Sequence, residues 1–342
     1  MKMTKLLEIK EILKSIYSKY DNYIFPGIKF LLALIVFSSI NNMIGEMRII
    51  NNIIIVIILA LLCSLLPVNA IVIFAALITV LHLYAISLAA AVVGLALGMI
   101  MLCLYFGFET KDSLTLILMP LAFGLKIPYL VPLVFGLIGT PLSAIGIGCG
   151  VIAYYFLRFV AENANNLSFD KVDEILIKMN LIIEHLLKNR LMMMTLFTCV
   201  LVVIVVYVIK RLSVDYAWTI AIAAGGVLNI VVMLIGEFAL DISGGIGWLL
   251  LSTIMSMLLA VVIQFYIFNV DYTRSETVQF EDENYYYYVK AVPKITIAAP
   301  SLKVKKINAQ KREIEELEEI EELEELKQME ELKQIEENED SL

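Results

Sequence analysis

Two polar-proline interruptions cut an otherwise apolar run between Ile49 and Arg158: Leu66-Pro67-Val68-Asn69 and Leu125-Lys126-Ile127-Pro128. Proline removes a backbone donor and clashes with the preceding turn, so Pro67 and Pro128 mark helix breaks. At membrane depth an unwound backbone persists only where protein or a water-filled cavity satisfies it. Lys126 is therefore the side chain with the most chemical reach. An ammonium between apolar residues is costly in lipid unless it faces a cavity or a partner. At a hairpin tip it would contact an anion or a coupling ion. The competing reading is a cytoplasmic lysine whose tip reaches the headgroups. Asn69 holds the corresponding place in the first break and reads as a lining residue or a turn residue.

Other polar groups offer less. His82 lies in an apolar stretch and suits a hydrogen bond between helices, or else a proton or substrate contact. Asn229 follows Gly225-Gly226 in mid-span and suits an interhelical hydrogen bond, or else the lining of a cavity. Glu237 and Asp241 read as a solvated span end, or else as a cation or proton site. Glycines gather at Gly94 and Gly98, and again at Gly136, Gly139, Gly146, Gly148 and Gly150, where they would let helices approach closely. His82 and His185 are the only histidines, and no HExxH, GxSxG or P-loop pattern occurs. The four cysteines sit singly in apolar segments. No catalytic constellation, cofactor or metal site is expected.

The elements that must position these groups are helices in a bilayer. Of the 342 residues 60% are hydrophobic, and the mean hydropathy of +0.85 excludes an ordinary soluble domain. Residues 1–22 read as an amphipathic surface helix. Residues 23–158 form a first membrane half. It opens with a span at Ile24–Ile40 and continues with two units, each of two short apolar pieces around a break and then a longer helix. The first is Ile53–Leu66, Ala70–Ala85 and Ile86–Phe108; the second is Leu114–Leu125, Tyr129–Gly139 and Pro141–Phe156. Most pieces beside the breaks fall short of a hydrocarbon core of roughly 30 Å. Each pair therefore reads as a re-entrant hairpin followed by a span. Residues 159–190 form an amphipathic linker. Residues 191–269 form a second half with spans Leu191–Ile209, Tyr216–Gly236 and Ile246–Phe268.

Basic residues set the sidedness. Lys2, Lys5, Lys10, Lys14 and Lys19 place the N-terminal arm in the cytoplasm, and Lys210-Arg211 marks a second cytoplasmic link. Six spans with two oppositely directed hairpins satisfy this and leave the tail cytoplasmic. Nine full spans is the competing count, which exports the tail.

Residues 270–300 are β-rich. Thr277–Val292 reads as a β-hairpin, with Tyr285–Tyr288 in its second strand. Residues 301–342 are basic from Ser301 to Arg312 and then acidic. From Lys311 to Leu342 there are fifteen acidic and four basic side chains, so this segment carries −11 and the rest about +3. Its hexads repeat apolar residues every three positions from Ile314 to Ile335. A coiled-coil seam needs an average near 3.5, so a charged helix or a low-complexity tail is expected instead. The acid argues against nucleic acid as a partner.

Val270-Asp271-Tyr272-Thr273-Arg274, Val278–Asp282, Tyr285–Lys294, Lys126–Tyr129 and Val214–Ile220 together resemble uncharacterised multi-pass proteins of clostridial bacteria. The resemblance implies a Gram-positive plasma membrane and no particular activity. The fold expected is an all-α polytopic membrane protein with a small β-hairpin and a charged tail. The function expected is a permease whose site lies between the hairpin tips near the midplane, lined by Lys126, Asn69 and Asn229. The alternative is a membrane scaffold that offers residues 277–294 and the acidic tail to a cytoplasmic protein.

Overall fold

A computed structural model describes residues 2–108, 114–168, 174–240, 245–267, 276–281 and 286–291. The chain divides into two units, Met1–Val270 and Asp271–Leu342. The basic segment, the hexads, Asp241 and the expected turn at 282–285 lie outside the described residues.

The first unit is helical. Its helices are α1 (Lys2–Met43), α2 (Ile53–Leu65), α3 (Asn69–Ile86), α4 (Leu88–Phe108), α5 (Thr115–Gly124), α6 (Leu130–Ile138), α7 (Ser143–Glu162), α8 (Ala164–Leu167), α9 (Ile175–Lys188), α10 (Arg190–Lys210), α11 (Ala217–Leu240) and α12 (Ile246–Ile267). Six stretches are long and apolar enough to cross a membrane: Ile16–Met43, Asn69–Ile86, Ser143–Glu162, Arg190–Lys210, Ala217–Ala239 and Ile246–Ile267. Their outer faces are apolar: Leu31, Phe197, Val227, Leu251 and Leu258 are all more than half exposed. Water would not tolerate so continuous an apolar surface, whereas lipid tails do. The chain is thus a multi-pass membrane protein.

α1 kinks at Tyr20 (φ −118°, ψ 22°), where the helix of the N-terminal arm meets that of the first span. One boundary differs from expectation. The piece after the first break, α3, holds 18 residues and reaches spanning length. Asn69 begins this helix rather than ending the break, so the piece gains a residue at each end.

Close contacts fix the helix directions. Phe123 of α5 stacks on Tyr154 of α7 at 4.2 Å, and a Cβ on Gly150 would meet Met119, so α5 and α7 run parallel. The short α6 returns antiparallel and packs between α10 and α11. A Cβ on Gly136 would come 2.8 Å from Val206 Cβ, and one on Gly225 would come 2.6 Å from Val206 Cγ2. Glycine at both positions lets three helices close on one valine. In α11 and α12, Asn229 meets Thr253 and Gln264 meets Thr219, the pattern of an antiparallel pair.

Lysines cap helix ends across this bundle. Lys10 Nζ donates to Phe265 O of α12 at 2.8 Å, and Lys29 Nζ to Leu66 O at the end of α2 at 2.8 Å. Lys178 Nζ donates to Leu167 O of α8 at 3.1 Å. Lys210 Nζ donates to Leu137 O and Gly139 O at the end of α6, at 2.7 and 2.9 Å. The last carbonyls of a helix lack intrahelical donors and carry its negative end, so an ammonium satisfies both needs.

The linker helix α9 is amphipathic. Ile182 and Leu186 are buried, while Leu176, Ile177, Leu181 and Leu187 are at least half exposed. His185 stacks on Phe159 at the end of α7, at 3.9 Å.

In the second unit, β1 (Glu276–Glu281) and β2 (Tyr286–Ala291) pair antiparallel, with Gln279 opposite Tyr288 and Phe280 opposite Tyr287.

Candidate functional site

The second break ends α5 with a left-handed residue where glycine is usual. Ile127 N donates to Ala122 O at 2.9 Å and Lys126 N to Phe123 O at 3.0 Å, the paired bonds of a Schellman cap. Lys126 stands at the left-handed position, with φ +64°. A Cβ there is unfavourable, and glycine would relieve it. Among the described residues the side chain that incurs this cost caps no helix end. Its ammonium lies over the Trp248 ring, 5.2 Å from the centroid.

Lys126 opens on a cavity of about 490 Å³. The walls include Tyr129 beyond the break, Tyr154, Tyr155 and Arg158 of α7, Thr195 of α10, Glu237 of α11, and Trp248 and Ser252 of α12. Arg158 Nε donates to Glu162 Oε1 at 2.8 Å, with both side chains more than half exposed. Tyr155 Oη and Thr195 Oγ1 lie 3.2 Å apart and hold α7 to α10. Glu237 was expected at a solvated end. Instead its Oε2 is buried and has no hydrogen-bond partner among the described residues. Two cations, one carboxylate with an open acceptor, an indole and three phenols thus surround one space. Such a lining can ion-pair and hydrogen-bond with a charged group.

The remaining sequence candidates stand elsewhere. His82 is fully buried: Met47 N donates to its Nδ1 at 3.1 Å, and its Nε2 lies 2.9 Å from Asn41 Oδ1. Nδ1 accepts, so Nε2 carries the proton in a neutral ring. Asn41 Nδ2 donates to Ile50 O, and the three groups staple the 44–52 link to α1 and α3. Asn229 is 1% exposed, and its Nδ2 donates to Thr253 Oγ1 at 2.8 Å. It joins α11 to α12 and does not line the cavity with Lys126.

The two breaks are not brought together. Leu66 beside Pro67 is held by Lys29, whereas Gly124 beside the second break adjoins Ser39. Ten residues of α1 separate these anchors, about 15 Å along the helix axis. Asn69 and Lys126 therefore do not share a site. Pro128 lines the cavity; Pro67 does not.

Sequence reasoning missed Arg158, Trp248, Tyr155 and Thr195, and read Glu237 first as a solvated span end. Arg158 and Glu237 lie close to span ends, where a charge ordinarily means solvent. Only the packing of separate segments brings them to one cavity.

Comparisons with protein-family models, curated proteins and solved structures return no match.

Proposed function

We propose that this chain is a permease of the cell membrane whose solute site is the cavity at the second break. The observation that carries the reading is Lys126. It occupies a left-handed position at some conformational cost, caps no helix end among the described residues, and faces a cavity that also holds Arg158 and an open Glu237 oxygen. Ionisable groups gathered at a helix break inside a membrane domain are the usual mark of a solute pathway.

The helix directions suit an even number of crossings; six crossings with two opposed hairpins take α4 as a span and α3, although 18 residues long, as the returning arm of the first hairpin. Lys10 reaches the last turn of α12, so the N-terminal arm and the exit from α12 share an end of the bundle. That requires an even number of crossings and disfavours nine. The α2–α3 pair turns back beside Lys29, partway along α1. The α5–α6 pair returns to Lys210 and turns back near Arg158. Basic residues place the arm and Lys210 in the cytoplasm. The hairpins then enter from opposite faces, and the cavity belongs to the outer half of the bundle.

The test is uptake by proteoliposomes containing the full chain, with radiolabelled inorganic phosphate, small carboxylates and alkyl phosphates of increasing chain length as probes. Uptake is expected to fall at least about tenfold in Lys126→Ala, the loss of one charge-assisted contact. It should survive deletion of residues after Arg312. The scaffold reading predicts the reverse: Lys126→Ala is silent, and removal of residues 277–294 abolishes assembly of an envelope complex.

A further inference from the structure

We infer that the solute of this site is an anionic amphiphile, with a phosphate or carboxylate head in the cavity and an alkyl chain in a crevice beside it. The inference rests on the permease reading of the cavity and adds the solute's class. Next to the charged cavity lies a second pocket, around Ser38, Asn42 and the Arg158–Glu162 ion pair, which shares Gly124, Tyr154 and Arg158 with it. That pocket in turn shares Ser39, Met43, Pro120 and Leu121 with an apolar crevice of about 150 Å³ between α1, α3, α4, α5 and α7. A space of this size in an apolar wall holds a benzene-sized group. Val72, Ala75, Leu97 and Gly98 line it, and Ser39 and Thr79 supply its few polar groups.

The order of these spaces along α5 matters. The crevice lies against Leu116–Leu121, and the charged cavity lies against Phe123–Tyr129. One molecule could thus lay a chain toward the bilayer interior and keep its head at the cation-bearing end. That is the orientation a lipid adopts in a leaflet. Lys126 and Arg158 select an anion, and Glu237 accepts from a hydroxyl or ammonium on the same head. A small hydrophilic anion would need the cavity but not the crevice.

Gly98 gives a clean probe of the crevice. It lines the space, and a Cβ there meets nothing within 4 Å, so Gly98→Leu adds bulk to the crevice from a position that has room for its first carbon. The full chain carrying Trp218→Phe, in phosphatidylcholine nanodiscs, leaves Trp248 as the only tryptophan and as a reporter in the cavity. It is titrated with hexadecyl phosphate, hexadecanol and inorganic phosphate. The expected result is saturable quenching by hexadecyl phosphate alone. Its midpoint should weaken about tenfold or more in Arg158→Gln, and likewise in Gly98→Leu. Equal binding of inorganic phosphate, unaffected by Gly98→Leu, would overturn the amphiphile and leave a small-anion permease. Equal binding of hexadecanol, unaffected by Arg158→Gln, would overturn the anionic head. No saturable quenching by any probe overturns the amphiphile. The permease reading falls separately, if Lys126→Ala leaves proteoliposome uptake unchanged.

Discussion

The two proline breaks look alike in sequence and behave differently in the fold. The first receives a cation: Lys29 of α1 donates to Leu66 O, and the turn closes with Ala70 N to Pro67 O and Ile71 N to Val68 O. The second supplies one. Its backbone is closed by its own Schellman bonds, which leaves the Lys126 ammonium for the cavity. The first break is a joint and the second a site. Backbone satisfaction decides which: a break that needs a neighbour's lysine cannot offer one.

Four substitutions test this contrast, from the largest effect to the smallest. Gly136→Leu attacks the scaffold of the second break, because its Cβ would lie 2.8 Å from Val206 Cβ. Overpacking there should cost about 3 kcal/mol and lower the detergent Tm, whereas Gly148→Ala, whose Cβ meets open space, should not. Lys29→Met leaves the Leu66 carbonyl without its donor and should cost about 2 kcal/mol in the same assay. A Lys29→Met protein as stable as wild type would dissolve the distinction between joint and site. Lys126→Gly should do the opposite. Glycine relieves the left-handed residue and should raise stability by about 1 kcal/mol, while phosphate or carboxylate uptake is lost. Stability gained with function lost is the trade expected of a strained site. Asn229→Leu removes one interhelical hydrogen bond and should cost about 0.6 kcal/mol, with uptake unchanged. An uptake defect there would move the site toward the α11–α12 seam.

Much of this was legible in the sequence. Apolar length announced the membrane, and Pro67 and Pro128 located both breaks. Lys126 was readable because a charge beside a proline in apolar surroundings has few explanations. What was not legible depends on depth and on partners. Nothing near Lys29 says that it caps a carbonyl 37 residues away. Nothing near Glu237 says that one oxygen is buried, since a carboxylate close to a span end ordinarily faces water. Asn69 was paired with Lys126 by analogy of position, but the 15 Å offset between their anchors comes from helix packing that no local pattern records. The arm and the first span read as separate because amphipathicity ends near residue 22, and a kink at Tyr20 divides α1 close to that point.

The contrast between the breaks is tested most directly by the water accessibility of their lysines. In a Cys103→Ser background, which removes the exposed native thiol and leaves the buried Cys63, Cys149 and Cys199, single Lys126→Cys and Lys29→Cys variants are treated with a membrane-impermeant maleimide on intact cells. The account predicts labelling of Lys126→Cys from the outer face and none of Lys29→Cys, with both labelled after denaturation. Protection of Lys126→Cys would show that the second break opens on no outward aqueous cavity, and labelling of Lys29→Cys would show that the first break is open as well; either result contradicts the account.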